Sequence, residues 1–541
     1  MTKQTQPPGL LRSAGIVSAA VATSRVTGLM RESVLSALFG ASASLDAFIL
    51  GYRIPNLARD LFADGALSAA FVPTFSRYLA TKSKEEAREL SNVVASLLML
   101  VTGCICGLGM LVSPQFVELF ASGFHAVPGK FELAVDLVRI MFPFLFLVAL
   151  AAQAQGILNA CHQFGVPAVS SSMFNIGSIA TGLALGYWVG PRFGLSMVHC
   201  MAFGILAGGM AQLAFQLPAV WRAGFHWTPR VDFHHEGVRQ ILRLMGPAVI
   251  GGASVQVNVL VNTTFAAGLT DAAGHAMNGP VTWLNCAFRF MQLPIGVFGI
   301  ALAQAALPRM ARSAAEGDLP GMRATLLQSL NTMMMLTIPA SVGLAVLGRS
   351  MIALVYQHGK FLARDTDQTA LALACYAVGL ASYASVRLLA PAFYALGDAR
   401  TPMLVSMASV VINGCVSFAT VRIFGWGHAG LALALSAVSI FNSVVLAALL
   451  GPRLGGTGLG GTGLGIFRGG ELGLNCLKSL VASAVMGCAC YGIVRLVPGA
   501  VASLVLGIPV GAAVYYVTAS ALGIPELARV RETVLRRFGG N

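Results

Sequence analysis

Apolar residues run through this chain in long blocks separated by short polar clusters. A helix that crosses a bilayer needs about 20 mostly apolar residues. Stretches of that kind lie at approximately 12–39, 45–75, 91–118, 134–158, 166–189, 195–221, 240–268, 280–307, 324–347, 369–396, 401–421, 427–450, 474–494 and 499–522,. The pattern therefore predicts fourteen spanning helices, the first two the least apolar. Met351–Phe361 is too short to span and is expected along the outer interface,.

The pattern also repeats. Pro73 and Pro308, like Pro167 and Pro402, are 235 residues apart, and Arg53 and Arg289 are 236 apart. Each repeat holds six spans, and an even number leaves both halves with one orientation. The expected fold is an all-α polytopic membrane protein with two six-helix lobes related by a pseudo-two-fold axis along the membrane normal, plus two further C-terminal helices. The expected divisions are residues 1–235, 236–452, a Gly-rich linker at 453–473, and 474–541 with a basic tail.

Composition agrees with this pattern. Of 541 residues, 56% are hydrophobic and 10% charged, whereas soluble domains carry roughly 25% charged residues. Soluble enzymes, nucleic-acid binders and disordered scaffolds are poor fits. The net charge of +14 comes from 35 basic against 21 acidic residues. With the N-terminus inside, 21 of the basic residues fall in inside loops and tails and eight in outside ones, so both termini are expected in the cytoplasm. No cleavable signal is expected, because Lys3 and Arg12 lead into a segment that continues with charges,.

Six arginines remain inside spans: Arg25, Arg31, Arg53, Arg59, Arg289 and Arg387. Each costs about 2.5–3.5 kcal/mol at a helix centre on insertion scales. Four of them sit in the first two spans beside Glu32, Asp46, Asp60 and Asp64. At 100° per residue, Arg53, Asn56, Arg59, Asp60 and Asp64 share one arc of about 140°. Pro55 is expected to bend the second span, and Gly28 to permit a bend or close approach in the first, which also carries Ser24. Structural ion pairing between these charges is one reading. Against it, buried pairs seldom repay their desolvation, and guanidinium grips phosphate in a two-pronged fork. The cluster therefore points to an anionic ligand, phosphate or diphosphate. Arg289, with Thr282 nearby, is the second-half counterpart of Arg53. Trp283, Gln292, Gln256, Asn258 and Asn262 read more simply as interhelical hydrogen-bonding groups, and Arg387 as a packing or snorkelling residue.

Other signals dissolve on inspection. Gly456–Gly461 fits a GxGxxG pattern, but no strand precedes it and a flexible linker is the simpler reading,. His234 and His235 lack further ligands at metal spacing. The ten cysteines lie mainly in apolar segments, where Cys104/Cys106 and Cys488/Cys490 turn to different helix sides,. No metal and no cofactor is expected.

The first two spans carry a recognisable pattern. Ser24-Arg25-Val26-Thr27-Gly28, Arg31-Glu32, Asp46-Ala47-Phe48, and Ile54-Pro55-Asn56-Leu57 followed by Arg59 resemble the MurJ/MviN family of bacterial lipid II flippases, in the multidrug/oligosaccharidyl-lipid/polysaccharide exporter superfamily. Met245-Gly246-Pro247-Ala248, Arg289 with Leu293-Pro294, and Leu389-Ala390-Pro391 extend the likeness over nearly the whole chain. The resemblance implies a transporter, not an enzyme, that moves lipid II from the inner to the outer leaflet of the cytoplasmic membrane by alternating access. It implies that Arg25, Arg31, Arg59 and Arg289 bind the diphosphate headgroup, with Asp46 orienting an arginine or breaking its grip and Ser24 and Asn56 beside them; Arg53 and Thr282 join the candidate binding set from their places in the spans. It further implies that the last two spans shape a groove for the polyprenyl tail. A monomer is expected, with membrane lipids and cell-wall synthesis enzymes as partners and the membrane potential or an ion gradient as driving force. Asp60 departs from members with a second basic residue there, and spans 7 to 12 hold no carboxylate, which puts sodium coupling in doubt. A flippase for another polyprenyl-diphosphate glycan and a drug or cation exporter of the same superfamily are the alternatives.

Overall fold

Helix starts follow local chemistry. Ser83 and Glu86 form a reciprocal capping box ahead of one long helix, and Ser42 and Asp318 accept N-terminal amide protons ahead of two others,. His235 Nδ1 accepts from the Gly237 amide at 3.1 Å, a capping role for one of the paired histidines. The structure, a computed structural model, describes residues 8–60, 67–271, 273–454 and 471–527. The Gly-rich tract, Asp64 and the basic tail beyond residue 527 lie outside the described residues.

Among the described residues the first series of helices is α1 Pro8–Phe39, α2 Ala43–Ala58, α3 Ser68–Thr81, α4 Lys84–Leu111, α5 Ser113–Ala121, α6 Lys130–Met141, α7 Phe144–Ala160, α8 Gly165–Ala184, α9 Gly190–Phe193, α10 Met197–Arg222 and α11 Glu236–Ala267. The second is α12 Pro280–Pro294, α13 Ala301–Ala315, α14 Leu319–Tyr356, α15 Ala363–Ala395, α16 Arg400–Phe418, α17 Gly427–Arg453, α18 Glu471–Leu496 and α19 Ala500–Ala521. Eleven helical stretches among the described residues are long and apolar enough to cross a membrane. This is an all-α, multi-pass membrane fold. The regions of α1, α2–α3 and α11 are not among the eleven; α1 carries arginines and a carboxylate that lower its hydropathy, and α2 and α3 have only 16 and 14 residues.

The chain forms two compact units, Met1–Val281 and Thr282–Asn541. The division falls later than the 235/236 boundary expected from the repeat, because α11 packs on α3, α4 and α5. In the first unit α7 packs on α3, α4 and α10, and α10 on α8. In the second, α15 packs on α13, α14 and α17, and α17 on α16. The α18–α19 hairpin packs on α14, where the Tyr515 hydroxyl donates to the Met335 carbonyl at 2.7 Å and meets Ser479 Oγ at 2.9 Å.

Close backbone approach holds α8 to α10. A Cβ on Gly204 would lie 2.5 Å from the Ser178 carbonyl oxygen, and one on Gly208 would lie 2.6 Å from that of Phe174. Such small-residue seams suit a solvent that supplies no hydrophobic drive between helices. Large apolar side chains such as Trp188, Leu111 and Leu496 are strongly exposed, as suits contact with hydrocarbon. All ten cysteines are free; Cys104 and Cys488 are exposed while Cys106 and Cys490 are buried, so each pair does straddle its helix.

One local expectation changes. Met351–Tyr356 is no separate interfacial segment: α14 continues through it, with Ile352 and Tyr356 fully buried. Pro55 lies inside α2, which runs on to Ala58, and the helix widens to π geometry at residues 59–60, one turn later,.

Candidate functional site

The polar groups of α1, α2 and α11 occupy several distinct environments in the first unit. Asp60 is a hub. It accepts from Arg59 Nη2 at 2.8 Å and Nε at 3.2 Å, from Asn56 Nδ2 at 3.5 Å and from Gln256 Nε2 at 3.2 Å. Arg59 and Asp60 remain partly exposed, at 24% and 31%, so this pair is a modest electrostatic tie. Asn56 keeps its buried carbonyl oxygen without a hydrogen-bond partner. Arg53 donates through Nη1 to Thr263 Oγ1 on α11. Arg53 and Asp60 thus each reach α11, and Asn56 and Arg59 join them through Asp60.

Arg31 stands apart. Its residue is 7% exposed, and Nε and Nη1 have no hydrogen-bond partner. The guanidinium carbon lies 5.3 Å from the Tyr52 ring centroid and 5.0 Å from that of Phe174. Arg25, by contrast, has an exposed side chain. Ser24 contributes its backbone carbonyl, which accepts from Thr27 Oγ1 at 3.1 Å and Asn175 Nδ2 at 3.3 Å. A Cβ at Gly28 would meet Asn175 Nδ2 at an ordinary 3.6 Å, and α1 runs unbroken through it.

Asp46 has a lysine as a close partner. Its carboxylate accepts from Lys130 Nζ at 2.9 Å, both side chains being almost wholly buried, and from the Gly279 amide at 2.8 Å. Lys130 also donates to Asn278 Oδ1 at 3.0 Å and lies 4.3 Å from the Phe124 ring centroid. Lys130, at the start of α6, falls in an outside loop on the span pattern, and no signal in the sequence marked it as turning inward. Tyr52, Phe174 and Thr263 were also missed, since aromatic and hydroxyl residues in spans are too common to single out.

In the second unit Thr282 is fully buried and Arg289 partly exposed on α12. Trp283 donates Nε1 to Asp365 at 3.2 Å, and its ring lies 5.0 Å from that of His428. Arg387 is exposed. Among the described residues there is no group of three or more metal-ligating side chains.

Residues 35–510 match the family model described as lipid II flippase MurJ. A probable lipid II flippase MurJ of Vibrio cholerae is 33% identical over 455 residues, which cover 82% of this chain and 84% of that one. A lipid II flippase MurJ of Burkholderia cenocepacia is 31% identical over 441 residues, covering 81% and 83%. The solved structure of a lipid II flippase MurJ in an inward closed conformation superposes with a TM-score of 0.74 at 24% identity, over 93% of this chain and 98% of that one, a likeness of fold.

Proposed function

The chain belongs to the lipid II flippase MurJ family, and on that premise we propose that it moves lipid II from the inner to the outer leaflet of the bacterial cytoplasmic membrane by alternating access. The observation that carries this reading is the family match over residues 35–510, which includes nearly all the spanning helices. The protein is a transporter: no bond of the lipid is made or broken. The barrier it lowers is the desolvation of a large anionic headgroup in hydrocarbon.

In this reading Arg25, Arg31, Arg59 and Arg289 compensate the diphosphate charge, while Ser24, Asn56, Arg53 and Thr282 contact the rest of the headgroup. Arg31 supports the assignment, because a buried guanidinium with two nitrogens lacking acceptors is a group awaiting an anion,. Asp46 acts through its tie to Lys130. Gly28 and Pro55 are the points at which α1 and α2 flex. The regions of α1, α2–α3 and α11 complete a set of fourteen spans; α1 and α11 have 32 residues each, long enough to cross,.

Two six-helix lobes related by a pseudo-two-fold axis fit the recurrence of local geometry. The π-helical stretch beginning at residue 59 has a counterpart beginning at Ile295, and the π-helical turn Leu185–Val189 has one at Ala419–Ile423. Those offsets, 236 and 234, lie within one residue of the 235 of the sequence repeat. The α18–α19 hairpin borders the polyprenyl tail, both termini face the cytoplasm, and the protein works as a monomer driven by the membrane potential or an ion gradient, beside cell-wall synthesis enzymes.

Depletion in cells tests the function: lipid II should accumulate in the inner leaflet, and unchanged leaflet distribution would overturn the reading. Correctly inserted Arg25→Ala and Arg59→Ala proteins should each fail to restore transport; normal translocation by both would remove the phosphate clamp.

A further inference from the structure

Arg31 is held by rings, and the rings are held by backbone contacts. Tyr52 on α2, Phe144 on α7 and Phe174 on α8 form a continuous aromatic set, with Tyr52 and Phe144 centroids 5.7 Å apart and Phe144 and Phe174 centroids 5.3 Å apart. Phe144 is fully buried and wedges between the other two. Tyr52 follows Gly51, where a Cβ would come within 3.1 Å of Leu137 Cβ and 3.2 Å of its carbonyl carbon, so α2 sits hard against α6. The Phe174 backbone is pinned in the same way by Gly208 of α10. Neither ring bearing on Arg31 can drift without moving a helix.

A guanidinium can lose its water in two ways. A carboxylate acceptor satisfies its N–H groups but also offsets its charge toward any incoming anion, as Asp60 does for Arg59,. An aromatic face attracts the cation through its quadrupole and leaves the in-plane N–H groups unspent. Nε and Nη1 of Arg31 are in that second condition.

We propose that Tyr52 and Phe174 are positioning residues for substrate: they form an aromatic rest that keeps Arg31 desolvated, fixed in orientation and free of competing acceptors, so that its N–H fork is spent on the diphosphate of the lipid. This rests on the lipid II reading above. It adds a division of labour between the arginines, Arg59 being a buffered charge and Arg31 a primed one. It also assigns specificity for a flat, forked cation at position 31, which lysine does not supply.

The test is lipid II binding to the purified full-length protein in lipid nanodiscs. Tyr52→Leu and Phe174→Leu are each expected to weaken binding by about three- to tenfold, a cation–π contact being of that order, while Tyr52→Phe binds as the parent does. In an Arg31→Ala background the two leucine substitutions are expected to have no further effect. Equal losses in both backgrounds would overturn the proposal, since the rings would then serve only the packing of α2 and α8. Parental binding by both leucine variants, with Arg31→Ala still weakened, would overturn it while leaving the lipid II reading intact. Unweakened binding by Arg31→Ala itself would overturn the proposal together with the phosphate clamp.

Discussion

Charged residues withdrawn from water in this protein meet the desolvation problem in different ways. Asp46 and Lys130 answer it as a sealed pair, and breaking such a pair leaves an uncompensated charge that costs about 3–5 kcal/mol,. Lys130→Met should therefore lower the thermal unfolding temperature sharply in detergent, and adding Asp46→Asn should recover part of the loss; an unchanged melting curve for the single variant would contradict the sealed pair. Arg59 answers it with a neighbouring carboxylate that water still reaches. Asp60→Asn keeps the shape and releases the charge, so lipid II affinity should rise by about two- to fivefold, the scale of a partly exposed pair. Titration of the variant against the parent checks this, and weaker binding would assign Asp60 a direct role in the substrate site.

At the scale of helices, small residues decide spacing and polar staples decide ends. Gly208→Val would drive a side chain into the Phe174 backbone, and α8 would have to move off α10. Thermal stability should fall, and lipid II affinity should fall with it through the displaced ring. At the α15–α16 turn, the Thr401 hydroxyl and Arg453, both hydrogen-bonded to Asp398, hold its carboxyl well below the usual carboxylate range. A depressed value means that the stabilisation is full above about pH 4, where the unfolded chain is also ionised, and is lost as pH falls through the lower folded value. The melting temperatures of parent and Asp398→Asn should thus differ at pH 7 and converge in strong acid. A gap that widened with acidification would reverse the assignment.

At the scale of the whole molecule, the proposed orientation rests on the excess of basic residues in alternate loops. A cysteine replacing His275, exposed in the turn after α11, should be labelled in intact cells by a membrane-impermeant maleimide, provided the exposed native cysteines are first removed. One replacing Glu316, in the turn before α14, should be labelled only after permeabilisation. The opposite pattern would invert the chain in the membrane.

Much of this was legible in the residues themselves, because burial in hydrocarbon forces two things that sequence displays directly. Every backbone group must bond within its own helix, so span length appears as apolar run length. Every charge kept in a span must be accounted for, so Arg25, Arg31, Arg53 and Arg59 stood out without coordinates. The all-helical multi-pass class, the repeat offset and the family were set at that level. Partner choice was not, because it depends on which helices meet. Only the packed structure paired Asp46 with Lys130 across 84 residues, joined α11 to the first unit, and set Arg31 against rings from α2 and α8 rather than against a carboxylate. A charge declares in sequence that it needs company; side-chain reach and helix packing decide which company it gets.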